Sequence, residues 1–193
     1  MTDIENLQIA FETIREVKKL LEPLPSSNTP VIAALVGAAV GGLTPIIVNA
    51  FNEGRLRNNN RNATAHQIYS EISAILTVIN QRNYIESIKD IISYIQSNPS
   101  SAPHPFQVQV PNDLFHIYKA NLTNLALLDP KLQSEIVVFY HYLMGLLEDI
   151  KPGGMLNTQP TLNGYNEFLQ IALKTIAIGE KIQREISFEF DLA

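Results

Sequence analysis

The chain contains no cysteine and no tryptophan. Without cysteine there is no disulfide framework, no thiolate metal site and no cysteine nucleophile, which removes several enzyme and redox classes at once. Charge is sparse as well. Asp, Glu, Lys and Arg make up 17% of the 193 residues, and acids outnumber bases 19 to 14. A net charge of −5 does not suit a phosphate backbone, which needs a clustered basic surface, so nucleic acid is not an expected partner. No P-loop, dinucleotide-binding glycine pattern, Gly-x-Ser-x-Gly elbow or His-Glu-x-x-His pair occurs. The sequence therefore assigns no catalytic residue, no cofactor and no metal ligand.

What the chain does have is a long stretch without charge, from Pro23 to Asn52, holding the apolar run 31–51, VIAALVGAAVGGLTPIIVNAF. As a helix these residues would reach roughly 32 Å, enough for a hydrocarbon core of about 30 Å. Ten large apolar residues favour insertion by about 3 to 6 kcal/mol together. Pro45 and Asn49 oppose it. The run predicts one transmembrane helix with the lipid bilayer as partner. Gly37 and Gly41 form a GxxxG, with Gly42 on the neighbouring stripe. That spacing lets two membrane helices approach closely, so a homodimer through this face is an expectation.

Arg15, Lys18 and Lys19 precede the run, and Arg55, Arg57 and Arg61 follow it more closely. The positive-inside rule then places the C-terminal part in the cytoplasm as a single-pass protein. Each downstream arginine that meets anionic headgroups adds on the order of 1 kcal/mol. Residues 52–62 are thus expected to be a polar, basic juxtamembrane segment.

Helical periodicity frames the rest. Ile4, Leu7, Phe11, Ile14, Val17 and Leu21 recur at three- and four-residue steps, predicting an amphipathic helix over 1–22, closed by a proline-rich linker over 23–30. From Ala63 the period returns through Ile68, Ile72, Ile75 and Ile79, then restarts out of phase at Tyr84, so Gln81–Asn83 predicts a break. Ser97–Pro105 is a turn-rich loop. Phe106, Val108 and Val110 alternate with glutamines, predicting a short extended piece across the helices. Further helices are expected from Asn112 to about Leu125, from the Asp129-Pro130 start signal to about Lys151, and from Thr161 to Ile186 along Phe168, Ile171, Leu173, Ile176, Ile178 and Ile182. The reading is all-α: an N-terminal amphipathic helix, one transmembrane helix, and a four- to five-helix bundle over 63–187 with a tail over 188–193.

The segment from Phe106 to Leu147 carries Tyr118, Asn121, Leu122, Leu125, Leu127, Leu128, Asp129, Pro130, Leu132, Val137, Phe139 and Tyr140 in a spaced pattern, with Ala177-Ile178-Gly179-Glu180 later. This resembles uncharacterised bacterial and phage single-pass membrane-tethered helical proteins. The resemblance runs from the span to Ile186 and implies a membrane-anchored helical domain with no assigned activity. The chain departs from that layout in Asn58-Asn59-Asn60, where the others are densely basic, and in its extra N-terminal helix.

Two histidines and an acid, Asp113, His116 and His141, form the one polar constellation with metal-binding or acid–base chemistry. Their spacing matches no ligand motif. The expected function is a membrane-anchored interaction or regulatory module that binds an unidentified protein partner, through the Phe106–Val110 segment or a tyrosine face at Tyr140 and Tyr142. The alternative is a membrane-perturbing effector of the phage-defence or superinfection-exclusion type, acting through oligomerised spans.

Overall fold

The structure is a computed structural model describing residues 12, 15, 16, 19, 29–100, 105–110 and 114–190, with backbone alone over 29–51. The chain divides into two units, Met1–Asn59 and Asn60–Ala193. In the first, Glu12, Arg15, Glu16 and Lys19 are helical and exposed, which is the polar set of the expected amphipathic helix; its apolar set and the linker up to residue 28 lie outside the described residues. Among the described residues no helix is long and apolar enough to cross a membrane. The backbone of 31–51 is helical, but its side chains, those of Gly37, Gly41 and Gly42 included, lie outside the described residues.

That backbone belongs to α1, Thr29–Gln81, which continues through the polar stretch 52–62. Asparagine is a poor helix former, yet extending a helix is far cheaper than nucleating one. Helix α1 ends where expected: Asn83 takes a left-handed conformation at φ 51°, which asparagine tolerates better than most residues. Tyr84–Ser97 then forms α2.

The second unit is all-helical among its described residues. After α2 come the short α3, His116–Ala120, a 3₁₀ turn over Asn124–Leu127, α4, Pro130–Ile150, the single-turn α5, Met155–Thr158, and α6, Leu162–Glu189. The Asp129-Pro130 start signal works as expected, Asp129 Oδ1 accepting from Lys131 N at 2.9 Å. Thr161 caps α6 through Gly164 N at 3.0 Å. Helices α4 and α6 run antiparallel, because Lys131 pairs with Glu185, Glu135 with Lys181 and Tyr142 with Lys174.

The core has two parts. In one, Ile68 and Ile72 of α1 meet Leu132, Ile136, Phe139 and Tyr140 of α4 and Ile182 and Ile186 of α6. In the other, Ile88, Ile92 and Ile95 of α2 meet Leu146 and Ile150 of α4 and Tyr165, Phe168 and Ala172 of α6. Helices α4 and α6 therefore serve both, while α1 and α2 cover one each. The 106–110 segment is extended, with Phe106, Val108 and Val110 half-buried and the glutamines exposed. It is fastened by Phe106 N to Leu156 O at 3.0 Å and Val108 N to Ile150 O at 2.9 Å.

Several expectations need correction. The helix expected from Asn112 to Leu125 is only the five-residue α3, and residues 111–113 lie outside the described set. It stops at Asn121, whose side chain donates to Ile117 O at 2.9 Å and so competes with the backbone ladder. Leu122, expected on its apolar side, is 53% exposed. On α6 the buried face is Tyr165, Phe168, Ala172, Thr175, Gly179, Ile182 and Ile186, while Ile171 and Leu173 face solvent. Arg61, one of the basic set expected beside the membrane, pairs with Glu189 and lies 4.8 Å over the Phe190 ring, which leaves that expectation as it stands. Arg55 and Arg57 are exposed.

Close helix approach rests on glycine. A Cβ on Gly179 would sit 2.7 Å from Phe139 Cε2, and one on Gly154 would press on the carbonyl oxygens of Glu148 and Asp149. Gly179→Ala gains about 1 kcal/mol of helix propensity but overpacks a core at a cost of about 1 to 3 kcal/mol, so net destabilisation is expected. Gly154→Ala should cost more, since its obstacles are backbone. Denaturant midpoints followed by circular dichroism check both the sign and the order.

Candidate functional site

The bundle's one densely bonded polar centre is built around Glu71 of α1, a residue 92% removed from solvent by its 8% exposure. It falls on the same helical face as Ile68, Ile72 and Ile75 and so is carried inward with them. Its Oε1 accepts from Ile117 N at 3.0 Å, and its Oε2 accepts from Tyr118 N at 2.9 Å and from the Tyr140 hydroxyl at 2.6 Å. Ile117 and Tyr118 are the second and third residues of α3, whose preceding residue, Phe115, has no capping side chain. Glu71 thus performs from another helix the task of an N-cap residue, satisfying two amides that the helix cannot.

Phe115 holds φ at 65°, a left-handed conformation that costs a bulky residue about 1 to 3 kcal/mol. What holds it there is packing: its ring meets Tyr140 edge-on at 5.4 Å. Tyr140 also stacks on Tyr118 at 3.9 Å and meets Phe139 edge-on at 5.1 Å. Nearby, Asn121 Nδ2 donates to Gln67 Oε1 at 2.8 Å. Asn121 is 5% exposed, so the glycosylation-like triplet at 121–123 presents no free amide.

Burial raises the Tyr118 hydroxyl above its ordinary value of 10.0. Burial, the hydrogen bond to Glu71 and the charge of Glu71 push Tyr140 far above it. Both tyrosines are therefore held neutral.

Above this centre an apolar groove of about 580 Å³ opens where the two halves of the core meet. Helix α1 near its end, α2, α4, α6 and the extended segment form its walls, and Glu71 and His116 lie along it. On the other side of the α1–α2 break is a smaller, more polar cavity of about 370 Å³ that includes Asn80, Asn83, Glu86 and Glu180.

Of the sequence-level constellation, His116 and His141 are described. Asp113 lies outside the described residues. His116 is exposed at the groove and His141 is exposed on α4. Among the described residues no three His, Cys, Asp or Glu side chains converge to hold a metal ion. The expected tyrosine face is also split, with Tyr140 fully buried and Tyr142 half-buried on the surface, where it meets Lys174 at 3.0 Å. Glu71 was not singled out by sequence; its signal is a lone acid within an isoleucine stripe.

Two outcomes follow for this centre. Tyr140→Phe removes a hydrogen bond to a charged group and should cost about 1.5 to 3 kcal/mol, with a double-mutant cycle against Glu71→Gln showing coupling of about 0.5 to 3 kcal/mol. Second, the folded values of Tyr118 and Tyr140 lie above the unfolded value of 10.0. Their stabilisation is full below that pH and is lost as pH rises past it, because only the unfolded chain ionises freely. Each contributes a slope of about 1.4 kcal/mol per pH unit there. Thermal midpoints measured across the alkaline range should fall, and fall less steeply in Tyr140→Phe. No protein-family model, curated protein or solved structure matches this chain.

Proposed function

We propose that the protein is a membrane-anchored helical interaction module, in which 31–51 spans the bilayer and the bundle beyond it receives a partner. The observation that carries this reading is the uninterrupted backbone of α1 from Thr29 to Gln81. One helix supplies both the charge-free run and, in Ala65, Ile68 and Ile72, a wall of the core. A run already helical needs no rearrangement to satisfy its backbone groups in lipid. The exposed Arg55 and Arg57 favour a cytoplasmic bundle, and Gly37 with Gly41 supports pairing of two spans.

The resemblance to membrane-tethered helical proteins supports the same reading. Its residues have structural work in this fold: Tyr118 and Tyr140 meet Glu71, Asp129 caps α4, and Gly179 admits Phe139. A pattern spent on the core leaves recognition to the surface.

The test is membrane fractionation of the full-length chain with an alkaline wash, beside a version lacking residues 30–51. The version lacking the run is the control for retention through the bundle. A retained full-length chain and a soluble deletion are expected. Release of the full-length chain would overturn the anchor. Loss of membrane potential on expression would instead favour the membrane-perturbing reading.

A further inference from the structure

The groove lies at a seam, and its chemistry restricts what can fill it. Ile75, Val78, Val108, Leu146, Ile150 and Phe168 give it an apolar lining. Its charged residues are Glu71 and Arg82. The carboxyl group of Glu71 is already engaged by three donors, and the Thr175 hydroxyl is spent on Ile171 O at 2.7 Å. Arg82 is different. It is exposed, and its guanidinium meets only the Tyr84 hydroxyl, at a long 3.4 Å. Among the described residues, the groove therefore offers an apolar surface beside a cation that no carboxylate meets.

Size narrows the choice further. A helix with side chains is about 10 Å wide, so 580 Å³ would hold only about 7 Å of one, roughly five residues. A helix could therefore rest only partly within the groove, whereas an unbranched alkyl chain can lie wholly within it. Arg82 and Glu71 are eleven positions apart, or about 16 Å along a helix axis, which keeps an anion bound at Arg82 well away from the buried acid.

We propose that this groove is a binding site for a single-chain fatty-acid anion, its alkyl chain lying against Val78, Val108 and Phe168 and its carboxylate on the Arg82 guanidinium. The site lies within Asn60–Ala193 and does not depend on the anchor. The charge complementarity of Arg82 with an anionic head distinguishes this ligand from a neutral alkane.

The experiment is photo-crosslinking of the full-length protein with a diazirine-bearing tetradecanoate, in nanodiscs, followed by mass-spectrometric mapping of the labelled residues. Label is expected on the 106–110 segment, α4 and α6 at the groove, with protection by unlabelled tetradecanoate. Ala74 is exposed and lines the groove, so Ala74→Trp should fill the channel without touching the core and abolish groove labelling. Arg82→Gln should weaken protection roughly fivefold, the scale of one exposed ion pair, and Arg82→Lys should restore most of it. Far-UV circular dichroism confirms that each variant folds. Label scattered over the surface, or unaffected by Ala74→Trp, overturns the site. Equal protection by the methyl ester overturns the role of Arg82. Because the readout is the position of the label, failure here is distinct from failure of the chain to fractionate with membranes.

Discussion

A carboxyl group taken out of water is costly unless its lone pairs are met, and Glu71 is met three times. That requirement organises the centre of the bundle. To supply two of the donors, the chain after the extended segment must present the start of α3 to α1. To supply the third, α4 must place Tyr140 beneath it. Once Tyr140 is there, Phe115, Tyr118 and Phe139 pack around its ring. The left-handed turn at Phe115 leads into the two successive amides that meet the acid, and the aromatic packing compensates for its strain.

This explains which parts of the fold could be read in the sequence. Helix starts and stops carried by local chemistry were legible: the Asp129-Pro130 cap, the Asn83 break and the alternating Phe106–Val110 segment all act within a few residues. Contacts made across the fold were not. Helix α3 starts against Glu71, which meets its first free amides from α1, and nothing in 112–125 announces that. On α6 the apolar count favoured Ile171 and Leu173, yet the buried face uses Ala172, Thr175 and Gly179. Close packing selects small side chains there, with Leu76 and Phe139 filling the space. Tyr140 and Tyr142 differ by two positions, which is nearly opposite on a helix, so one could enter the core only if the other left it.

The candidate site shares that origin. Two half-cores stacked along α4 and α6 cannot be sealed where α1 gives way to α2, because the helix covering the joint is broken at Asn83. Side chains from Ile75 to Ile85 diverge around that break, and a groove remains. The groove is thus a by-product of topology as much as of the residues that line it.

Helix α6 is the last of the described elements to leave the ribosome, and every part of the bundle waits for it. Its final turns reach back to Arg61, 128 residues earlier, and its two halves complete both clusters. Until then Ile68, Ile72, Ile88 and Ile92 lack the α6 side of their cover. At about 5 to 20 residues per second, that leaves an apolar nascent chain exposed for seconds. The interval between synthesis of α1 and of α6 is therefore the stage at which chaperones have the most surface to hold.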